Sequence, residues 1–135
     1  MKTARLICVT LFALVALTAC GGDPEDANAV PSSWIRQQYS SSSVGAGYVD
    51  SSDATSKVAR EIDGHTAAGG RVDDDGKVFL RYRNDIVAIT PLKSGSRIEI
   101  DDYRSGYYRW KTHIRSAWPD PDSDSFRGGG PGSGK

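Results

Sequence analysis

Between Lys77 and Thr90 the chain runs KVFLRYRNDIVAIT. Val78, Leu80 and Tyr82 alternate with Phe79, Arg81 and Arg83, and a period of two is the mark of a strand with two unlike faces. Asn84-Asp85 has turn chemistry and Ile86 to Thr90 is a second apolar run, so the spacing predicts a hairpin with a two-residue loop at Asn84-Asp85. That loop pairs Tyr82 with Val87 and Leu80 with Ile89 on one face. On the other it sets Arg83 against Ile86 and Arg81 against Ala88.

Working outward, Asp73-Asp74-Asp75-Gly76 is a turn before the hairpin. After it, Pro91 to Ser96 turns the chain, and Arg97 to Asp101 reads as a third strand with Ile98 and Ile100 inward. Ser105-Gly106 reads as another turn. Tyr107 to Arg115 then reads as a fourth strand, with Tyr108, Trp110, Thr112 and Ile114 on one face and Tyr107, Arg109, Lys111, His113 and Arg115 on the other. A meander with one apolar face needs a cover.

Two short segments of helical period can supply that cover. The first starts at Pro31-Ser32-Ser33 and puts Trp34, Ile35 and Tyr39 near one side; Ser40 to Ser43, Gly45 and Gly47 end it in a loop. The second runs from about Ala54 to Ile62 with Ala54, Val58 and Ile62 on one face, Ser52 or Asp53 as N-cap and Gly64 as terminator. The expected fold class is therefore α+β over residues 31–118, with two N-terminal helices packed in two layers on a four-stranded antiparallel meander. Residues 119–135, Pro/Asp-rich and then Gly-rich, have no apolar periodicity and read as a disordered tail.

The first 19 residues have a different character. Lys2 and Arg5 precede an apolar stretch from Leu6 to Ala16, the layout of an export signal. Spanning a bilayer takes roughly 20 apolar residues, and Cys20-Gly21-Gly22-Asp23 breaks the run first. Leu17-Thr18-Ala19-Cys20 has small side chains next to a thiol, the arrangement needed for acylation at Cys20 and cleavage before it. Residues 20–30 then read as a lipidated cysteine and a polar tether. Cys8 leaves with the leader and Cys20 carries lipid, so no cysteine is left for a disulfide, a metal or a nucleophile. Removing Lys2 and Arg5 from the 17 basic residues leaves 15 against 17 acidic ones, a balance that gives no general attraction to nucleic acid.

The lipobox, the order of helices and strands, the stretch Asp101-Asp102-Tyr103 to Gly106-Tyr107 and the ending FRGGGPGSGK at 126–135 resemble an uncharacterised bacterial lipoprotein family, domain of unknown function 4247. The resemblance implies attachment to the outer face of the cytoplasmic membrane of a Gram-positive cell. It brings no activity, cofactor or site residue with it.

Several patterns are weighed for chemistry. Gly129 to Lys135 satisfies G-x-x-x-x-G-K, but a phosphate loop needs a strand before it, a helix after it and a hydroxyl residue following the lysine. Asp73-Asp74-Asp75-Gly76 lacks the bidentate glutamate of a calcium loop at its twelfth position, which is Asn84. His65 and His113 have no second ligand type at a recognisable spacing, so neither a metal nor a cofactor is expected. Arg81, Arg83, Arg97, Arg109 and Lys111, with Tyr107 and Phe79, would form a basic and aromatic outer sheet face suited to a polyanion or an anionic lipid. Phe126-Arg127 would be a docking point for an envelope protein. The expectation is a lipid-anchored, extracytoplasmic, non-enzymatic binding module. An envelope hydrolase or transferase using Asp85, Glu99 or Asp101 is the alternative from another class.

Overall fold

The computed structural model describes residues 28–123. Helix α1 (Ser32–Gln38) leads into strand β1 (Ser40–Ser41) and β2 (Tyr48–Asp50), followed by α2 (Thr55–His65). Strands β3 (Gly70–Asp74), β4 (Lys77–Arg81), β5 (Asp85–Pro91) and β6 (Ser96–Asp102) come next, then α3 (Tyr103–Arg109) and α4 (Lys111–Ile114). The strands form one six-stranded antiparallel sheet in the order β1-β2-β6-β5-β4-β3. Fold class α+β is as expected, but four strands and two helices become six and four. None of these helices is long and apolar enough to cross a membrane.

The β4–β5 hairpin turns one residue earlier than its turn chemistry suggests. Tyr82 N–H donates to the Asp85 carbonyl at 2.8 Å, so Arg83-Asn84 is the loop, Leu80 faces Val87 and Val78 faces Ile89. Phe79 opposes Ala88 and Arg81 opposes Ile86. Neighbouring chain fixes this turn: Arg83 N–H donates to the Asn28 carbonyl and the Asn84 carbonyl accepts from Tyr103 N–H. The pairing shifts by two, so every side chain keeps its face. Val78, Leu80, Tyr82, Val87, Ile89 and Ile98 therefore form one core with Ile35, Tyr39, Val58, Ala59 and Ile62 of the first two helices.

Residues 107–115 overturn the rest of the expectation, because they are helical. Tyr103, Gly106, Tyr107, Trp110 and Ile114 recur at intervals of three and four, the helical period, and the Asp102 carboxylate caps α3 by accepting from Ser105 N–H at 3.1 Å. Trp110 and Ile114 satisfy both periods, so the sequence by itself supports alternation equally well. The sheet face expected to meet solvent is buried: Phe79, Ile86 and Ala88 pack under Tyr103, Tyr107, Ile114 and Trp118. The domain has three layers, with helices on both faces of the sheet.

Gly106 is a helix residue and not a turn. A Cβ there would lie 3.0 Å from Ile86 Cβ and 3.2 Å from Asp101 Cβ, so the missing side chain lets α3 settle on β5 and β6. That close approach offsets the roughly 0.5–1 kcal/mol that glycine costs inside a helix.

Candidate functional site

Helix α3 buries Tyr103, Gly106 and Tyr107, so Arg104, Tyr108 and, one turn on, Lys111 of α4 fall on the outer side. The expected disorder from residue 119 does not hold for the first residues of that segment. Residues 119–123 form a strap over this outer side, with Pro121 buried. The Pro119 carbonyl accepts from Tyr103 Oη at 2.8 Å. Tyr108 Oη donates to Asp120 at 3.0 Å and to Asp122 at 2.5 Å. The Arg104 guanidinium grips Asp122 through both terminal nitrogens, and Lys111 Nζ lies 4.0 Å from Asp120.

The rings and cations of this surface are also stacked. Arg104 lies 5.6 Å over the Tyr108 ring, and Lys111 Nζ is 5.5 Å from Tyr108 and 5.9 Å from Tyr107. The Asp122 hydrogen bond, with some desolvation and the nearby Asp120, pushes the Tyr108 phenol well above its ordinary value. The Asp122 carboxylate likewise raises Arg104.

The helical third layer divides the seven residues expected to form a polyanion face: Lys111 Nζ lies 5.9 Å from the Tyr107 ring and Arg97 and Arg109 meet at Glu99, but the seven share no one face, and Phe79 is buried. Arg81 remains on β4 and stacks 5.1 Å over Tyr103, while Arg83 is in the hairpin loop. Arg97 turns to the β1–β2 loop, donating to the Val44 and Ala46 carbonyls at 2.6 and 3.1 Å. Arg109 and Lys111 are on helices, and Tyr107 is buried. The single platform is thus not assembled, because its premise was a fourth strand. The strand reading turns Tyr108 to the same face as Trp110 and leaves Arg104 between strands, while Asp120 and Asp122 fall in the segment without apolar periodicity. The i, i+4, i+7 spacing of Arg104, Tyr108 and Lys111 is the signal that could have found them.

A cleft of about 340 Å³ opens where β2 begins beside β6, lined by Ser32, Ala46, Gly47, Tyr48, Glu99, Ile100, Asp101 and Arg109. Arg109 bridges its two acids, at 2.9 Å to Glu99 and 3.3 Å to Asp101, and stacks on Trp110 at 4.9 Å. Glu99 also faces Arg97 Nε at 3.8 Å. Two of the three acids considered for hydrolysis are therefore tied to arginines. A second cleft, about 380 Å³, lies between the start of α2 and the β3–β4 turn, lined by Thr55, Ser56, Asp73 to Lys77 and Val78. His113 Nδ1 lies 2.7 Å from Asp74 on this strand, a hydrogen bond that holds Asp74 below the usual carboxylate range and ties α4 to β3.

Asp50, Asp53 and Glu61 bring one oxygen each within 4.8 Å of one another, the one grouping among the described residues whose chemistry suits a hard cation. Each already has an internal partner. Asp50 accepts from Ser52 and Asp53 N–H at 2.8 and 2.7 Å, Asp53 pairs with Lys57 at 2.9 Å, and Glu61 accepts from Tyr39 Oη at 2.8 Å. A metal would have to displace the lysine and the phenol.

Asp85, the third acid, sits across the sheet from Asp102. Burial, and then the Asp102 charge, raise its pKa. An acid raised by folding holds its proton more tightly in the folded state. Stability therefore falls as pH rises from the unfolded pKa, about 3.9, through the folded value, and the penalty is complete at neutral pH. Asp85→Asn is expected to raise Tm at pH 7 and to leave it unchanged at pH 3. An equal rise at both pH values would show that the charge is not responsible.

Compared with known families, the chain matches the model described as Domain of unknown function (DUF4247) over residues 13–135. The chain belongs to this family. No curated protein and no solved structure matches it. The family match spans the three-layer domain and both flanking segments. Cys20, Phe126 and Arg127 fall inside it but outside the described residues.

Proposed function

We propose that this member of the family is a lipid-anchored module on the extracytoplasmic face of the cell membrane that works by binding and not by catalysis. The observation that supports this most directly is the leader ending Leu17-Thr18-Ala19-Cys20, eight residues before Asn28. Asn28 is itself fastened to the domain: its Nδ2 donates to the Ala67 carbonyl at 2.6 Å, and its carbonyl accepts from Arg83 N–H at 2.9 Å. Eight extended residues span at most about 28 Å, so on this reading the Arg83-Asn84 tip stands close to the bilayer. The Asp75-Gly76 and Pro91 to Gly95 turns, at the opposite ends of the same strands, point away from it. Phe126-Arg127, three residues past the strap, would dock an envelope partner near that surface.

Two or three acyl chains, at about 0.8 kcal/mol per buried methylene, hold a protein to a membrane where one chain holds it marginally. Cells fed a palmitate analogue are expected to label the wild-type chain and leave it in the membrane fraction, whereas Cys20→Ala takes up no label. A Cys20→Ala chain that is still labelled overturns the anchor.

A further inference from the structure

We infer that the outer surface of α3 and α4, formed by Arg104, Tyr108 and Lys111, is a phosphodiester-binding cradle that the chain's own Asp120-Pro121-Asp122 strap occupies as an internal anion. The inference rests on the reading of the chain as a binding module and supplies its ligand class; it does not depend on the anchor.

The strap makes the contacts that a phosphate would make. Asp122 sits in the fork of Arg104, and paired N–H groups in a plane suit phosphate as well as carboxylate. Tyr108 Oη is a donor shared by both acids, and Lys111 supplies a second positive charge 4.0 Å from Asp120. The Tyr108 ring lies under both cations, giving an apolar floor for the carbon backbone of a repeating phosphodiester. Two carboxylates two residues apart thus span the two cations as successive phosphates would.

The strength of the strap suits exchange. Arg104 and Asp122 have side chains 62% and 50% exposed, and Lys111 and Asp120 55% and 36%, so water and salt screen both pairs. Buried Pro121 and the Pro119 carbonyl on Tyr103 hold the segment in register without adding charge. The acids can therefore leave the cations while the strap stays attached at its base. A phosphodiester polymer competes with the two carboxylates because each phosphate that Arg104 or Lys111 neutralises also releases the counterion condensed on it.

The test uses the full chain, with soluble poly(glycerol phosphate), a repeating phosphodiester, as one probe and phosphatidylglycerol vesicles as the other. Asp120→Asn with Asp122→Asn keeps the shape of the strap and removes its charge. It is expected to tighten poly(glycerol phosphate) binding about two- to thirty-fold, the factor two exposed pairs together supply. Adding Arg104→Glu and Lys111→Glu to that variant should remove the gain. Tm of each variant separates lost binding from lost fold, and Tyr108→Phe, which deletes one hydroxyl, serves if the charge reversals unfold. A gain on poly(glycerol phosphate) alone assigns a soluble polymer, and a gain on vesicles as well assigns a headgroup. Unchanged binding to both probes in the double Asn variant overturns the cradle, and does so even where Cys20 is shown to carry lipid.

Discussion

Phe79→Ala is expected to lower the unfolding free energy by about 3–5 kcal/mol, the range for emptying a fully buried aromatic site. Phe79 has no exposed surface. Its ring is 5.3 Å from Trp110 and 5.6 Å from His113, and both of these belong to the C-terminal layer. In a two-layer domain Phe79 would face solvent, and its loss would cost within about 0.5 kcal/mol. Urea unfolding distinguishes the two cases, because the midpoint falls steeply in one and barely moves in the other. Leu80→Ala, on the opposite face under α1 and α2, is a fair comparison at about 2–5 kcal/mol. Similar losses at neighbouring residues that point in opposite directions mean that both faces are covered.

Gly95→Val is expected to be nearly as damaging. Gly95 has φ +83°, and a Cβ there would come 1.9 Å from the Asp50 carbonyl oxygen and 2.6 Å from the Ser51 carbonyl carbon. The left-handed backbone costs an L-residue roughly 1–2 kcal/mol, and forcing extra atoms into packed structure about 1–3 more. Together these give about 2–5 kcal/mol, or at least 8 °C in Tm for a domain of about this size. The clash falls where the β5–β6 loop meets the end of β2. Here Ser94 Oγ donates to the Ser51 carbonyl and Ser96 Oγ to the Asp53 carbonyl. Because β2 holds β6 by three residue pairs, the damage should spread to the β1–β2 edge. Gly64→Ala is the control: a Cβ meets nothing within 4 Å in that helical position, so it should stabilise by about 0.5–1 kcal/mol. A Gly95→Val protein that melts with the wild type would contradict the strain.

Gly76 and Gly106 show why part of the fold is legible in the sequence and part is not. Gly76 follows Asp75 at φ +73° and +51°, the mirror-image turn that Asp-Gly signals by itself, and there the local rule holds. Gly106 carries the same local signal, but its bareness serves the approach of α3 to Ile86. A glycine that relieves a contact between distant segments cannot be told from one that relieves a turn until both segments are in place. Tyr107 to Arg115 is ambiguous in the same way, because Trp110 and Ile114 fit a period of two and one of 3.6. The strand reading left Phe79, Ile86 and Ala88 facing water, and burial of those three side chains favours the helix.

The basic residues follow the same pattern. Their number was plain, but their grouping was not, because Arg97, Arg109 and Lys111 change neighbours when one segment changes from strand to helix. The acids of the strap looked like the start of a solvated tail until Arg104, Tyr108 and Lys111 lined up to receive them.

What the chain's own order of residues determined is local: the amphipathic faces of β4, β5, β6 and α2, and the apolar positions that make the first core. These depend on periodicity, a property of neighbours in sequence. Only the tertiary structure decided the third layer, the turn at Arg83-Asn84 and the cradle under the strap. Each depends on residues far apart in the chain competing for the same surface, and burial decides that competition after the segments meet.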